Sequence, residues 1–407
     1  MMAQTGALRI QNIDSMNIKS YPKIHTIIKF KEVRAYTRLL CKPLTIEDYT
    51  PQSAPFASPP KWHLAHTTWF FEEMILKPYC KDYTVYDDRF GVLFNSYSNT
   101  FGNRIARHER GLITRPSVSK IYEYRSYVDE QMILFLNTTT LTTTIHDLII
   151  LGLNHEQQHQ ELLLTDIKFT FSRNPMVPKL YEHSFTNQSE ELNDMAYVTI
   201  NEGVYTIGYQ EEGFCYDNEQ DSHRVFLETY DIANKLVTNR EYLEFMTQNG
   251  YKNVSYWLDD GWTFINNNNI SSPLYWELDD DLWYVYTLAG REVLNLDAPV
   301  THVSFYEAQA YAHYKNKRLA TEFEWEVAQS KFNWGTTWEW TNSAYLPYPR
   351  YKQDEGAVGE YNGKFMINLM VLRGHSSATS KEHSRPTYRN FFSPETRWQF
   401  SGIRLAK

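Results

Sequence analysis

Two histidines, His155 and His159, stand four residues apart in the run HEQQH, and a second pair, His63 and His66 in KWHLAH, precedes them. Imidazoles one helical turn apart can reach a single metal ion. Ile145, Leu148, Ile149, Gly152, His155, His159, Leu162 and Leu163 follow i, i+3, i+4 spacing, so both histidines continue the face expected to pack inward. A lone inward histidine is ordinarily a hydrogen-bonded core residue, but two on one turn would be costly to bury without a shared partner. His66 falls on a stripe with Trp62, Trp69 and Phe70 and is the expected third ligand, although periodicity separates it only weakly from His63. Three neutral imidazoles suit Fe(II), Zn(II), Cu(II) or Ni(II) and leave positions for substrate or oxygen; ligand type does not choose among these metals. Glu156 and Glu161 flank the pair, and either could orient a ligand or face solvent; for Glu156 the solvent-facing reading is the expectation. HEQQH also matches the HExxH pattern of zinc peptidases, in which the glutamate serves as general base. Such enzymes take their third ligand from downstream, whereas here the best remaining histidine lies upstream, so zinc hydrolysis is the minor reading.

The elements that must position these residues are long helices. Candidates run from about Phe30 to Cys41, from Lys61 to Leu76 after the start signal of Ser58, Pro59 and Pro60, from Ser117 to Asn137, and from Thr142 to Phe171. Four such helices make a bundle, and residues 23–172 are its expected extent. Residues 81–116 form a long loop rich in Tyr, Asn and Arg, a length that in compact domains marks function or disorder. Residues 174–194 are polar, carry Pro175 and Pro178, and read as a linker. Beyond Met195 short Val, Ile, Tyr and Phe runs alternate with turn signals such as Asn201-Glu202-Gly203 and Asp260-Gly261. Only Asn239 to Gln248 and Tyr306 to Lys315 look helical there, and nine tryptophans from Trp257 to Trp398, expected mostly in the core, enrich an irregular α+β domain over 195–407.

Bulk properties narrow the function. A chain of 407 residues suggests two domains. Lys and Arg number 40 against 49 Asp and Glu, a net charge of -9, with no basic run that would follow nucleic-acid phosphates or anionic lipid. No apolar stretch reaches about 18 residues, and the first twenty lack a signal-peptide core, so a cytoplasmic protein is expected. Cys41, Cys80 and Cys215 are too few and scattered for a disulfide framework and are expected reduced.

Over nearly its whole length the chain resembles the iron-dependent sulfoxide synthases of ergothioneine biosynthesis. The first half does so through SPPKWHLAHTTWFFE, LFNSY, RGLITRPSV and GLNHEQQHQELLLTDIK. The second half does so through DNEQDSHRV, LVTNREYLEF, PVTHVSFYEA, KRLATEFEWE, WEWTNSAYLPYP, GAVGEYNGKF, VLRG, YRNFF and FSGIRLA. The resemblance implies a DinB-like four-helix bundle followed by an α+β, C-type-lectin-like domain of the formylglycine-generating-enzyme (sulfatase-modifying-factor) type, with Fe(II) at their junction. It implies O2-dependent C–S bond formation between hercynine and a thiol, with oxidation of the sulfur to the sulfoxide. A selenium donor, or histidine in place of hercynine, are variants the same scaffold could serve.

By position in these motifs His66, His155 and His159 look like the family's iron ligands, the same three that periodicity favours. LFNSY and GAVGEYNGKF resemble the branch that uses cysteine rather than γ-glutamylcysteine. That branch usually has two adjacent loop tyrosines; here Tyr97 keeps the first, with the proton-delivering role, and Ser98 replaces the second. Arg107 and Arg110 match the arginines that hold the donor's carboxylate, as guanidinium forks can. Gln158 resembles the glutamine that contacts hercynine, and Asn390 and Phe391 fall where the family holds the trimethylammonium group, a cation suited to aromatic faces and amide oxygens. Phe392 stands where the γ-glutamyl branch has an aspartate. The second domain lacks the C-terminal cysteine pair of formylglycine-generating enzymes, which argues against their copper chemistry.

Overall fold

A computed structural model describes residues 23–96, 105–184, 186, 195–352 and 363–407. The chain divides into two compact units, with the break between Arg173 and Asn174.

The first unit is built on α1 (Lys23–Cys41), α2 (Pro60–Phe71), α3 (Val118–Thr138) and α4 (Thr143–Ser172). Their starts follow from local chemistry. Proline opens α2, and the side chains of Ser117 and Thr142 accept the amides of Lys120 and Ile145, which α3 and α4 leave without intrahelical partners. Helix α2 packs against α3 and α4, and α1 packs against the same two. Every residue of α2 is buried, so it is the central helix of the bundle. At Gly152 of α4 an added Cβ would meet the rings of Phe70 and Phe71 at 2.8 and 2.9 Å. Glycine there lets α4 approach α2 one turn before His155.

Two helices run beyond their expected bounds. Helix α1 starts at Lys23 rather than Phe30, and the segment expected as one helix to Leu76 widens into a π turn over Glu72–Leu76 before a last turn at Lys77–Tyr79. Glu72, at the start of that turn, is buried and accepts hydrogen bonds from the hydroxyls of Tyr83 and Tyr124 and the amide of Tyr86.

The second unit is rich in short strands: β1 (Tyr197–Ile200), β2 (Gly203–Ile207), β3 (His223–Leu227), β4 (Tyr230–Ala233), β5 (Trp276–Asp279), β6 (Leu282–Thr287), β7 (Gly290–Val293), β8 (Arg318–Leu319), β9 (Trp338–Ala344), β10 (Met370–Gly374), β11 (Asn390–Phe392), β12 (Ser401–Gly402) and β13 (Leu405–Ala406). They form sheets ordered β1-β4-β13-β8 and β11-β10-β9-β12, a β2-β3 hairpin, and a β5-β6-β7 meander. Among the described residues its α-helices are α5 (Asn239–Thr247), α6 (Asp259–Asn267), α7 (Phe305–Tyr314) and α8 (Glu322–Ala328).

The sequence pattern predicts α5 and α7 and misses the other two. Asp260-Gly261, read as a turn, lies inside α6, where an added Cβ on Gly261 would meet the Tyr306 side chain at 2.8 Å; the glycine serves packing. Helix α8 carries a capping box between Thr321 and Glu324, the one local signal that could have found it. Trp325, Trp338 and Trp340 are fully buried, as expected of core tryptophans. Part of the expected linker also folds onto this unit: the amides of Leu180 and Tyr181 donate to the Leu288 carbonyl, and the Tyr286 hydroxyl donates to that of Pro178.

Candidate metal centre

His66 from α2 and His155 and His159 from α4 each offer one ring nitrogen, and these nitrogens lie within 4.8 Å of one another. The three ring centroids are 4.6 to 5.0 Å apart. His66 and His155 are buried and His159 half-buried. The Nδ1–H of His66 donates to the Phe94 carbonyl at 2.7 Å, which directs Nε2 to the cluster. The same ring is stacked against Trp62 and Trp69, at 4.4 and 5.6 Å between centroids. A ring so packed cannot swing out to water.

Burial lowers the basicity of all three imidazoles, and for His66 and His159 the neighbouring rings add to it. His155 is pushed down to about 3 and His66 and His159 well below the ordinary histidine value. Three neutral, convergent imidazoles with no charge of their own are a donor set that fits a divalent transition metal.

The other positions divide as follows. Arg110 is buried, its guanidinium 3.3 Å from the centre of the Trp62 ring that stacks on His66, and it donates to Ser58 Oγ at 2.7 Å and Ser96 Oγ at 3.0 Å. The side chain of Arg107 is exposed, and its backbone carbonyl accepts from Gln52. Gln158 is half-buried on α4. In the second unit Asn390 and Phe391 lie on β11, and the Phe391 ring stacks on Tyr345 at 4.1 Å. Tyr97 and Ser98 lie outside the described residues.

Two residues differ from expectation. Glu156 does not face solvent: it is fully buried and turned toward α1 and α3, where Arg34 donates to it at 2.8 Å, Thr37 at 2.6 Å, and Arg125 completes the pair. Burial alone would raise its pKa, but Arg125 and Arg34 hold it down to about 2. A carboxylate committed to two guanidiniums is not placed to act as a general base at the cluster, and the zinc-peptidase reading loses the residue it depends on. His63, passed over in favour of His66, sits beside the centre with its Nδ1 2.9 Å from His159 Nδ1. Periodicity could not separate the two because α2 is buried all round.

Known proteins give this arrangement a context. Residues 29–163 match the DinB superfamily, and residues 182–336 match the sulfatase-modifying factor enzyme 1-like domain. The hercynine oxygenase of Mycolicibacterium thermoresistibile is 29% identical over 262 aligned residues, covering 50% of this chain and 56% of the relative. That of Mycobacterium tuberculosis is 28% identical over 252, covering 50% and 58%. The chain is similar to the hercynine oxygenases over about half its length. It spans about half the length of these curated relatives. A formylglycine-generating enzyme of Thermomonospora curvata is 28% identical over 158 residues, covering 34% of this chain and 52% of that one. The fold expected from the motifs, a DinB-type helical unit followed by a strand-rich domain of the sulfatase-modifying-factor type, is therefore the fold of this chain. Among the described residues, no helix is long and apolar enough to cross a membrane.

Proposed function

We propose that the protein is an Fe(II)- and O2-dependent sulfoxide synthase that joins hercynine to cysteine. The observation that carries this reading is the convergence of His66, His155 and His159 with no carboxylate in the set. Bound there, Fe(II) would supply the redox partner for dioxygen while leaving positions for a thiolate and a ring nitrogen. The overall change balances: the thiol and the hercynine ring each give up one hydrogen, the C–S bond forms, one oxygen atom goes to sulfur and the other leaves as water.

The chain's own residues take the remaining work. Arg107 and Arg110 hold the cysteine carboxylate; the Trp62 ring on which the Arg110 guanidinium packs is the one that stacks on His66. Gln158 contacts hercynine, and Asn390 and Phe391 take its trimethylammonium group through an amide oxygen and an aromatic face. Tyr97 delivers a proton. Location in the cytoplasm is part of the same proposal.

The test is aerobic incubation of Fe(II)-loaded protein with hercynine and either cysteine or γ-glutamylcysteine, with products read by mass. A sulfoxide adduct of cysteine is the expected product. An adduct formed only with γ-glutamylcysteine would move the donor, and turnover indifferent to oxygen would overturn the reading.

A further inference from the structure

His159 differs from His66 in what stands behind it. His66 has a neutral backbone carbonyl on its Nδ1. His159 has His63, and His63 in turn reaches Asp166 through Nε2 at 3.1 Å. Both His63 and Asp166 are buried, and the Asp166 oxygen that meets His63 also accepts the backbone amide of Ser58 at 2.7 Å.

The chemistry of these groups fixes the direction of each hydrogen bond. An ionised carboxylate only accepts, so the proton of His63 is on Nε2. Its Nδ1 then carries a lone pair, and His159 must donate from Nδ1. The lone pair of His159 is thereby left on Nε2. Both helices of the centre take part: His63 lies one turn before His66 on α2, and Asp166 lies two turns beyond His159 on α4.

We propose that His63 and Asp166 are positioning residues that set the tautomer and orientation of His159 and so raise the metal affinity of the centre. Hydrogen bonding of this kind behind a ligating imidazole increases its basicity and holds its plane. The proposal rests on reading the three histidines as a metal centre. It does not depend on which reaction the metal performs.

Metal binding, not turnover, tests it. His63→Leu and His63→Asn have nearly the same shape, but only asparagine offers an oxygen where Nδ1 stood. With Co(II) as the probe, titrated against a chelator and followed by its visible absorption, His63→Leu should weaken affinity about 10–100-fold. His63→Asn should recover most of that loss. Asp166→Ala should weaken affinity in the wild-type background and add little to His63→Leu. Leucine and asparagine variants that fold and bind Co(II) equally would reduce the pair to packing and overturn the proposal. A long-range 15N–1H spectrum of the Zn(II)-loaded wild type needs no variant: it should show His159 protonated on Nδ1, and a proton on Nε2 would refute the assignment. If the wild type binds neither ion, the metal reading falls and this inference with it. A wild type that binds metal but forms no sulfoxide sinks only the proposed reaction.

Discussion

Adjacent residues on one helix meet opposite fates in the first unit. Glu156 sits among Arg34, Arg125 and Thr37 with its charge fully answered, while His155, one residue earlier, joins two other imidazoles that carry no counter-charge among themselves. The second unit repeats the first pattern: buried Arg389 pairs with Glu322 and buried Arg404 with Glu339, each through two nitrogens. Paired buried charges hold elements together and have little capacity left for a ligand. Three neutral imidazoles that converge, with the outer nitrogens of His66 and His159 held by Phe94 and His63, are a donor set suited to an ion. Buried polarity is therefore not by itself a sign of function; what separates scaffold from site is whether the charges are already matched.

The largest expected effect comes from breaking the matched side. Glu156→Gln takes the carboxylate from buried Arg125, while Arg34 keeps Asp129, and should cost about 3–5 kcal/mol of stability, read by denaturant unfolding, while the folded fraction keeps its metal affinity. Loss of metal affinity without loss of stability would mean that the two faces of α4 are not separable as described.

Gly152→Ala acts on the join between the faces. Its methyl would press on Phe70 and Phe71, so a loss of about 1–3 kcal/mol is expected. Here metal affinity should fall as well, because the helix carrying His66 is pushed from the helix carrying His155 and His159. An unchanged melting temperature would show that the close approach is not needed.

Acid should distinguish the faces more gradually. Burial holds His63, His66, His155 and His159 below the ordinary value of 6.5, so below that pH the unfolded chain binds protons that the folded one refuses. Stability of the metal-free protein is then greatest above pH 6.5 and declines as pH falls, for His155 down to about 3. For that residue the slope is on the order of 1 kcal/mol per pH unit. Glu156, held below its ordinary 4.5, contributes a second loss confined to the range from 4.5 to about 2. Urea midpoints that stay level between about pH 7.5 and 5 would contradict the imidazole part.

Much of this site could be read from local spacing. The i, i+4 pair, the apolar stripe around it and the caps at Ser117 and Thr142 act within a few residues, and the structure places those helices within a residue or two of expectation. Where the reading failed, the deciding partner was distant. Glu156 depends on Arg34 and Arg125, which approach from other helices. Gly261 looked like a turn because nothing nearby in sequence shows that it faces Tyr306. His63 and His66 shared a helix with no solvent-exposed face, so no period could rank them.

The order of residues alone thus determined the long helices of the first unit, the pairing of His155 with His159 on one face, and the family motifs that carry both domains, because each is set by neighbours along the chain. Tertiary packing decided the rest: α2 against α4 sets which histidine completes the cluster and which one stands behind it, and Arg34 of α1 and Arg125 of α3 turn Glu156 away. Those outcomes depend on groups brought together across about a hundred residues, where burial and charge pairing choose the partner and sequence spacing carries no signal.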